Sequence, residues 1–167
     1  SNGHGCIFYG NFINNCVKIN NSRMYERQNS LKIFVPYLRD KSRFRFLIEK
    51  LTELNVNEIH IGMTKNTQNT NYSKSKILDW TISALEQSGS AYLPELFFPD
   101  NLNFSVFSTC LDISGEKLYN NHKKLNNFAI GPEGGWTDEE LSKFQRKINI
   151  SEFSLRTETA AITAVSL

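Results

Sequence analysis

Between residues 42 and 55 the apolar positions Phe44, Leu47, Ile48, Leu51 and Leu54 recur at the spacing of an amphipathic helix, with Ser42 as its expected N-cap and Asn55 as its stop. Before it, Leu31 to Pro36 reads as a buried strand; after it, Ile59, Ile61 and Met63 alternate as a strand over 57–63. A polar loop, 64–75, leads to a second helix carrying Ile77, Trp80, Thr81, Ala84 and Leu85, which Gly89 ends. Phe104 to Leu111 reads as a further strand, 114–124 as a weakly helical polar piece, and 127–130 as a short strand. A helix with Leu141, Phe144 and Ile148 in register, a short strand around Phe153 and a final helix from Thr157 complete the chain. At the other end, 6–13 forms a short strand after a turn at Asn2 to Gly5, and Asn20-Asn21-Ser22 is a polar break. Strands alternating with helices at this spacing predict an α/β domain: a parallel sheet with helices on both faces.

Two segments carry candidate chemistry. Gly131-Pro132-Glu133-Gly134-Gly135-Trp136 follows a strand end, where open α/β sheets bind ligands, and its glycines allow a tight turn with close backbone approach. Thr137 and Glu140 form a capping box that starts the next helix. No Lys-Ser/Thr follows the glycines, so the loop is not a triphosphate loop, and its spacing is not that of a dinucleotide fingerprint. A purely structural turn stays open, but an acidic residue inside a tight glycine loop favours a ligand. The second segment is Leu155-Arg156-Thr157-Glu158-Thr159-Ala160-Ala161, a charged, hydroxyl-rich helix start followed by small residues. It suits a helix packed close to its neighbours, or an ordinary terminal helix with a salt bridge at its start.

The composition narrows the classes. With 167 residues the chain makes one ordinary domain, or one carrying a fragment of another. Lys and Arg number 19 against 17 Asp and Glu, and the net charge of +2 does not announce nucleic-acid binding, so any RNA partner must meet a local patch. No apolar run reaches a membrane span. Cys6, Cys16 and Cys110 have no metal-ligand spacing and are expected to be buried free thiols in a reducing, cytosolic setting. His4, His60 and His122 form no pair that suggests a metal or a triad.

Taken together, Gly-Pro-Glu-Gly-Gly followed by Leu-Arg-Thr-Glu-Thr-Ala-Ala resembles the RsmE family of ribosomal RNA methyltransferases, in the SPOUT superfamily. Weaker agreement runs through Glu86-Gln87-Ser88-Gly89 and Lys50-Leu51-Thr52-Glu53-Leu54, so the resemblance covers residues 28–167. It implies a methyltransferase domain over 28–167 whose C-terminal helix is threaded into a trefoil knot, preceded over 1–27 by the remnant of a PUA-like β-barrel and linker. The implied reaction is methylation of N3 of a uridine in small-subunit (16S) ribosomal RNA, by a cytoplasmic homodimer using S-adenosylmethionine. Gly131, Glu133, Gly134 and Gly135 would form one cofactor loop, and Leu155, Arg156, Thr157 and Ala160 the other. Thr109, Cys110 and Leu111 would line the adenine side. Arg156 would stabilise the uridine anion, with Glu133 or Glu158 orienting it.

The chain departs from that family at Ser90, at Ser83-Ala84 and at Lys65-Asn66, which leaves a non-catalytic RNA-binding or dimerisation module as the alternative. Arg39, Lys41, Arg43 and Arg45 gather at the first helix, with Arg23 and Arg27 before it and Tyr25 and Tyr37 interleaved. This is the expected RNA-binding set, with a solvated helix face as the other reading.

Overall fold

The computed structural model describes residues 1–27, 30–68, 70, 72–118 and 125–167. Its centre is a six-stranded sheet in the order β5-β4-β3-β7-β6-β8. The strands are β3 (Lys32–Pro36), β4 (Glu58–Gly62), β5 (Glu95–Phe97), β6 (Thr109–Lys117), β7 (Asn127–Ala129) and β8 (Arg146–Asn149). Every pairing among them is parallel, as the alternation of strands and helices predicts. The helices are α1 (Lys41–Glu53), α2 (Lys74–Ser88), α3 (Asp138–Lys143) and α4 (Thr157–Ser166).

Two apolar layers sandwich the sheet. On one face Ile33, Val35, Ile59, Ile61, Phe128 and Ile148 pack under α1, α2 and α4, with Phe44, Leu47, Ile48 and Leu51 fully buried as the α1 stripe requires. On the other, Phe34, Cys110 and Ala129 meet Phe107, Trp136 and Phe144.

Several boundaries differ from the sequence expectation. The N-cap of α1 is Asp40, whose carboxylate accepts from the backbone N–H groups of Ser42 and Arg43, so Ser42 lies inside the helix. Phe104 and Phe107 belong to the loop before β6, because their rings fill the second apolar layer, and the strand begins only at Thr109. It continues to Lys117 through part of the piece expected to be helical; residues 119–124, with His122, lie outside the described residues. Helix α3 ends at Lys143 and Ile148 belongs to β8, so the edge strand comes before Phe153, which lies in a loop. The short strand β5 had no distinct sequence signal.

The N-terminal segment is a separate two-stranded antiparallel ribbon, β1 (Cys6–Ile13) and β2 (Cys16–Met24), which runs straight through the expected polar break at 20–22. Its side chains are largely exposed: Phe12 is 74 % and Met24 72 % accessible. Cys6 and Cys110 are buried as expected, but Cys16 sits exposed on this ribbon. Among the described residues no helix is long and apolar enough to cross a membrane.

Candidate active site

A cavity of about 460 Å³ opens at the register break of β6 and the carboxyl ends of β7 and β8, against the first turn of α4. The loop after β7 forms one wall. Gly131 is required there because a Cβ would stand 2.9 Å from the indole nitrogen of Trp136, and Gly135 adopts φ of +72°, a left-handed conformation that favours glycine. Trp136 is buried and donates its Nε1–H to the Leu111 carbonyl at 3.0 Å, anchoring the loop to β6. The capping box then fixes the exit: the Thr137 hydroxyl accepts from the Glu140 N–H, and Glu140 accepts from the Thr137 N–H at 2.9 Å. The other Glu140 oxygen accepts from the backbone N–H of Lys65 at 3.0 Å, and the Asn66 amide donates to the Gly134 and Gly135 carbonyls at 3.2 and 3.0 Å. Lys65 and Asn66 thus brace this loop.

The opposite wall is the 149–157 segment. Thr157 donates its hydroxyl to the Gly131 carbonyl at 3.1 Å, so the walls touch directly. At the side, the register of β6 against β8 jumps between Leu111 and Glu116, and the looped-out Asp112 and Ile113 face the cavity. Phe153 stands at its rim, 78 % exposed.

Of the expected cofactor residues, Leu111, Gly131, Glu133, Gly135, Leu155, Arg156, Thr157 and Ala160 line this cavity. Thr109 and Cys110 do not: they start β6 rather than end it, and Cys110 points into the opposite layer, where burial and the nearby Asp112 push its thiol up to about 12. Gly134 is also outside, turned toward Asn66.

Of the expected catalytic residues, Arg156 is exposed at the rim and makes no ion pair among the described residues. It is not the arginine that Glu133 and Glu158 hold. That position belongs to Arg43, whose Nε and Nη2 donate to the two oxygens of Glu158 at 2.8 and 2.6 Å while Nη1 donates to Glu133. Glu158 is 8 % exposed. Burial alone would raise its pKa, but the hydrogen bonds from Arg43 prevail and hold it below the ordinary glutamate value. The Arg43 guanidinium is correspondingly raised, first by its hydrogen bonds to Glu158.

The expected RNA set therefore divides. Arg43 is committed to the cavity. Arg27 is an internal brace, its Nη2 donating to the carbonyls of Val56 (3.3 Å), Asn57 (3.5 Å) and Leu93 (3.2 Å). Arg23 lies over the Tyr25 ring, and Tyr37 packs against Phe44 and Tyr72 rather than presenting a free face. Arg39 and Lys41 are exposed, as is Arg45, which pairs with Glu49. Close approach of Lys76 lowers the Lys41 pKa. Ser83 is exposed on α2 and Ser90 hydrogen-bonds Asn55; neither lines the cavity. Sequence reasoning named Trp136 and Asn66 without giving them a site role, and missed Asp112, Ile113 and Phe153 at the cavity. Only Trp136, next to the paired glycines, carried a signal that could have found it.

Comparison with known proteins places the chain in a family. The family described as the RNA methyltransferase domain matches residues 26–167. The ribosomal RNA small subunit methyltransferase E of Mesomycoplasma hyopneumoniae is 30 % identical over an alignment that covers 82 % of this chain and 68 % of that protein. A methyltransferase from Legionella pneumophila, solved with the cofactor SAM bound, superposes with a TM-score of 0.72 at 29 % identity over 90 % of this chain and 70 % of that one. A ribosomal RNA small subunit methyltransferase E from Neisseria gonorrhoeae shares the fold, with a TM-score of 0.75 at 22 % identity and the same coverage. The expected α/β class, a parallel sheet with helices, holds. The chain belongs to the RNA methyltransferase domain family.

Proposed function

We propose that the chain transfers the methyl group of S-adenosylmethionine to N3 of a uridine in small-subunit ribosomal RNA, acting in the cytoplasm as a homodimer. The observation that carries this reading is the meeting of the Gly131–Gly135 loop and the 155–160 segment around one cavity. Family membership and the SAM-bound relative at 29 % identity support the donor, and the cavity volume lies within the range of small-molecule sites. The residues fit the cofactor: a glycine turn offers close backbone approach on one side, and the first turn of α4 with Leu155 and Ala160 offers a mixed polar and apolar wall on the other.

When bound, S-adenosylmethionine supplies a methyl group already activated on its sulfonium. The chain's own work would be to orient the uridine at the cavity and to lower the cost of losing its N3 proton to solvent. Arg156, uncommitted at the rim, places a cation beside the developing N3 anion. Glu133 and Glu158 serve this step indirectly, through their hold on Arg43. Arg39, Lys41 and Arg45 present exposed charge for RNA phosphates.

We read the C-terminal helix as threaded into a trefoil knot; the bond from Thr157 to Gly131 sets its start against the glycine loop, as that reading requires. We read the ribbon of β1 and β2 as part of a PUA-like unit, a reading supported by its separate, largely exposed sheet, while Arg27 ties the end of the 1–27 segment to the body.

The test is transfer of labelled methyl from S-adenosylmethionine to small ribosomal subunits, followed by nucleoside analysis. Label in 3-methyluridine is expected. Label in another nucleoside would overturn the N3 assignment, and cofactor binding without transfer would favour a non-catalytic RNA-binding module.

A further inference from the structure

We propose that Arg43 is a positioning residue of the methyl-transfer cavity, a clamp that joins its two walls, and not an RNA contact. The proposal rests on the cofactor reading above. Arg43 sits in the first turn of α1, its backbone fixed by the N-cap: its N–H donates to Asp40 at 3.0 Å. From there the side chain reaches partners 90 and 115 residues away, Glu133 in the glycine loop and Glu158 in the first turn of α4. Glu133 lines one wall, Glu158 sits behind the other, next to the lining residue Thr157, and Arg43 itself lines the cavity.

The chemistry requires an arginine. The planar fork donates Nε and Nη2 to both oxygens of Glu158 while Nη1 remains for Glu133, so one side chain holds two carboxylates in fixed relative positions. A lysine keeps the charge but, as a point donor on a flexible stem, cannot hold that geometry. Without any cation here, a carboxylate on each wall would stand unneutralised, and Glu158 is buried. The walls would lose their spacing even though every cofactor-facing residue were still present. The same commitment disfavours phosphate binding, because three of the five guanidinium N–H donors and its single positive charge already serve two carboxylates.

The experiment measures affinity for S-adenosylmethionine by calorimetry and affinity for small-subunit RNA across a salt series, for the wild type, Arg43→Lys, Arg43→Gln and the double variant Arg43→Gln/Glu158→Gln. Thermal melts by circular dichroism verify folding, and Arg43→Lys, the least disruptive change, serves if Arg43→Gln does not fold. We expect Arg43→Lys to weaken cofactor binding about ten- to a hundred-fold, the scale of a misplaced site, while RNA affinity and its salt slope stay as in the wild type. The double variant should bind the cofactor no more weakly than Arg43→Gln, since both remove the same link. Wild-type cofactor affinity in Arg43→Lys, or a lost phosphate contact seen as a salt slope shallower by about one, overturns the clamp alone. A folded wild type that binds no S-adenosylmethionine overturns the cofactor reading and the clamp with it.

Discussion

The Thr157 hydroxyl and the Gly131 carbonyl meet at 3.1 Å, and this bond joins the start of the last helix to the glycine loop across 26 residues of sequence. It brings the two sequence motifs into one site. Thr157→Val keeps the shape and removes the donor, so it should lower stability by about 1 kcal/mol and weaken cofactor binding. Thr157→Ser should restore both. Urea melts and calorimetry check the pair.

Trp136 holds the same loop from the other side. Trp136→Phe leaves the Leu111 carbonyl without its buried donor, at a cost of about 1 to 3 kcal/mol. A lower urea midpoint with an unchanged slope is the expected result.

The ion pair on Glu158 sets a direction for pH dependence. Its folded pKa lies below the unfolded value, so the pair contributes stability that is full above the unfolded pKa and is lost as pH falls through the folded one. Glu158→Gln should therefore be less stable than wild type at neutral pH, and the difference should shrink as pH falls below the ordinary glutamate value of about 4.3. Melts from pH 7 to pH 3 measure the difference.

The basic residues should separate by role. Arg39→Gln and Lys41→Gln should each reduce the salt slope of RNA binding by about one and leave stability nearly unchanged. Arg27→Gln should do the reverse, because that side chain serves the carbonyls of Val56, Asn57 and Leu93.

The sequence was most legible where periodicity and burial coincide. The α1 stripe from Phe44 to Leu51 is wholly buried, and the alternation of Ile59 and Ile61 lies on β4. It was least legible where tertiary packing overrides the local pattern. Phe104 and Phe107 look like a strand but are rings set into a layer beside Phe144 and Phe34, and Ile148 continues a helical spacing although its chain has already turned into β8. The ribbon strand β2 is exposed throughout, so no buried face marked it. At the site, the glycine loop and the Arg156 to Ala160 segment were visible as motifs. The Arg43 clamp and the Asn66 brace were not, since each joins residues that only the fold brings together.

The central claim is that the cavity between the two motifs is a cofactor site. Titrating the folded chain with S-adenosylmethionine in a calorimeter tests it most directly, with Gly131→Ala as the comparison because its added Cβ must displace Trp136. The expected result is saturable binding at one site per chain, lost or strongly weakened in Gly131→Ala. A folded wild type giving no binding heat at any temperature tried, or binding that Gly131→Ala leaves unchanged, would contradict it.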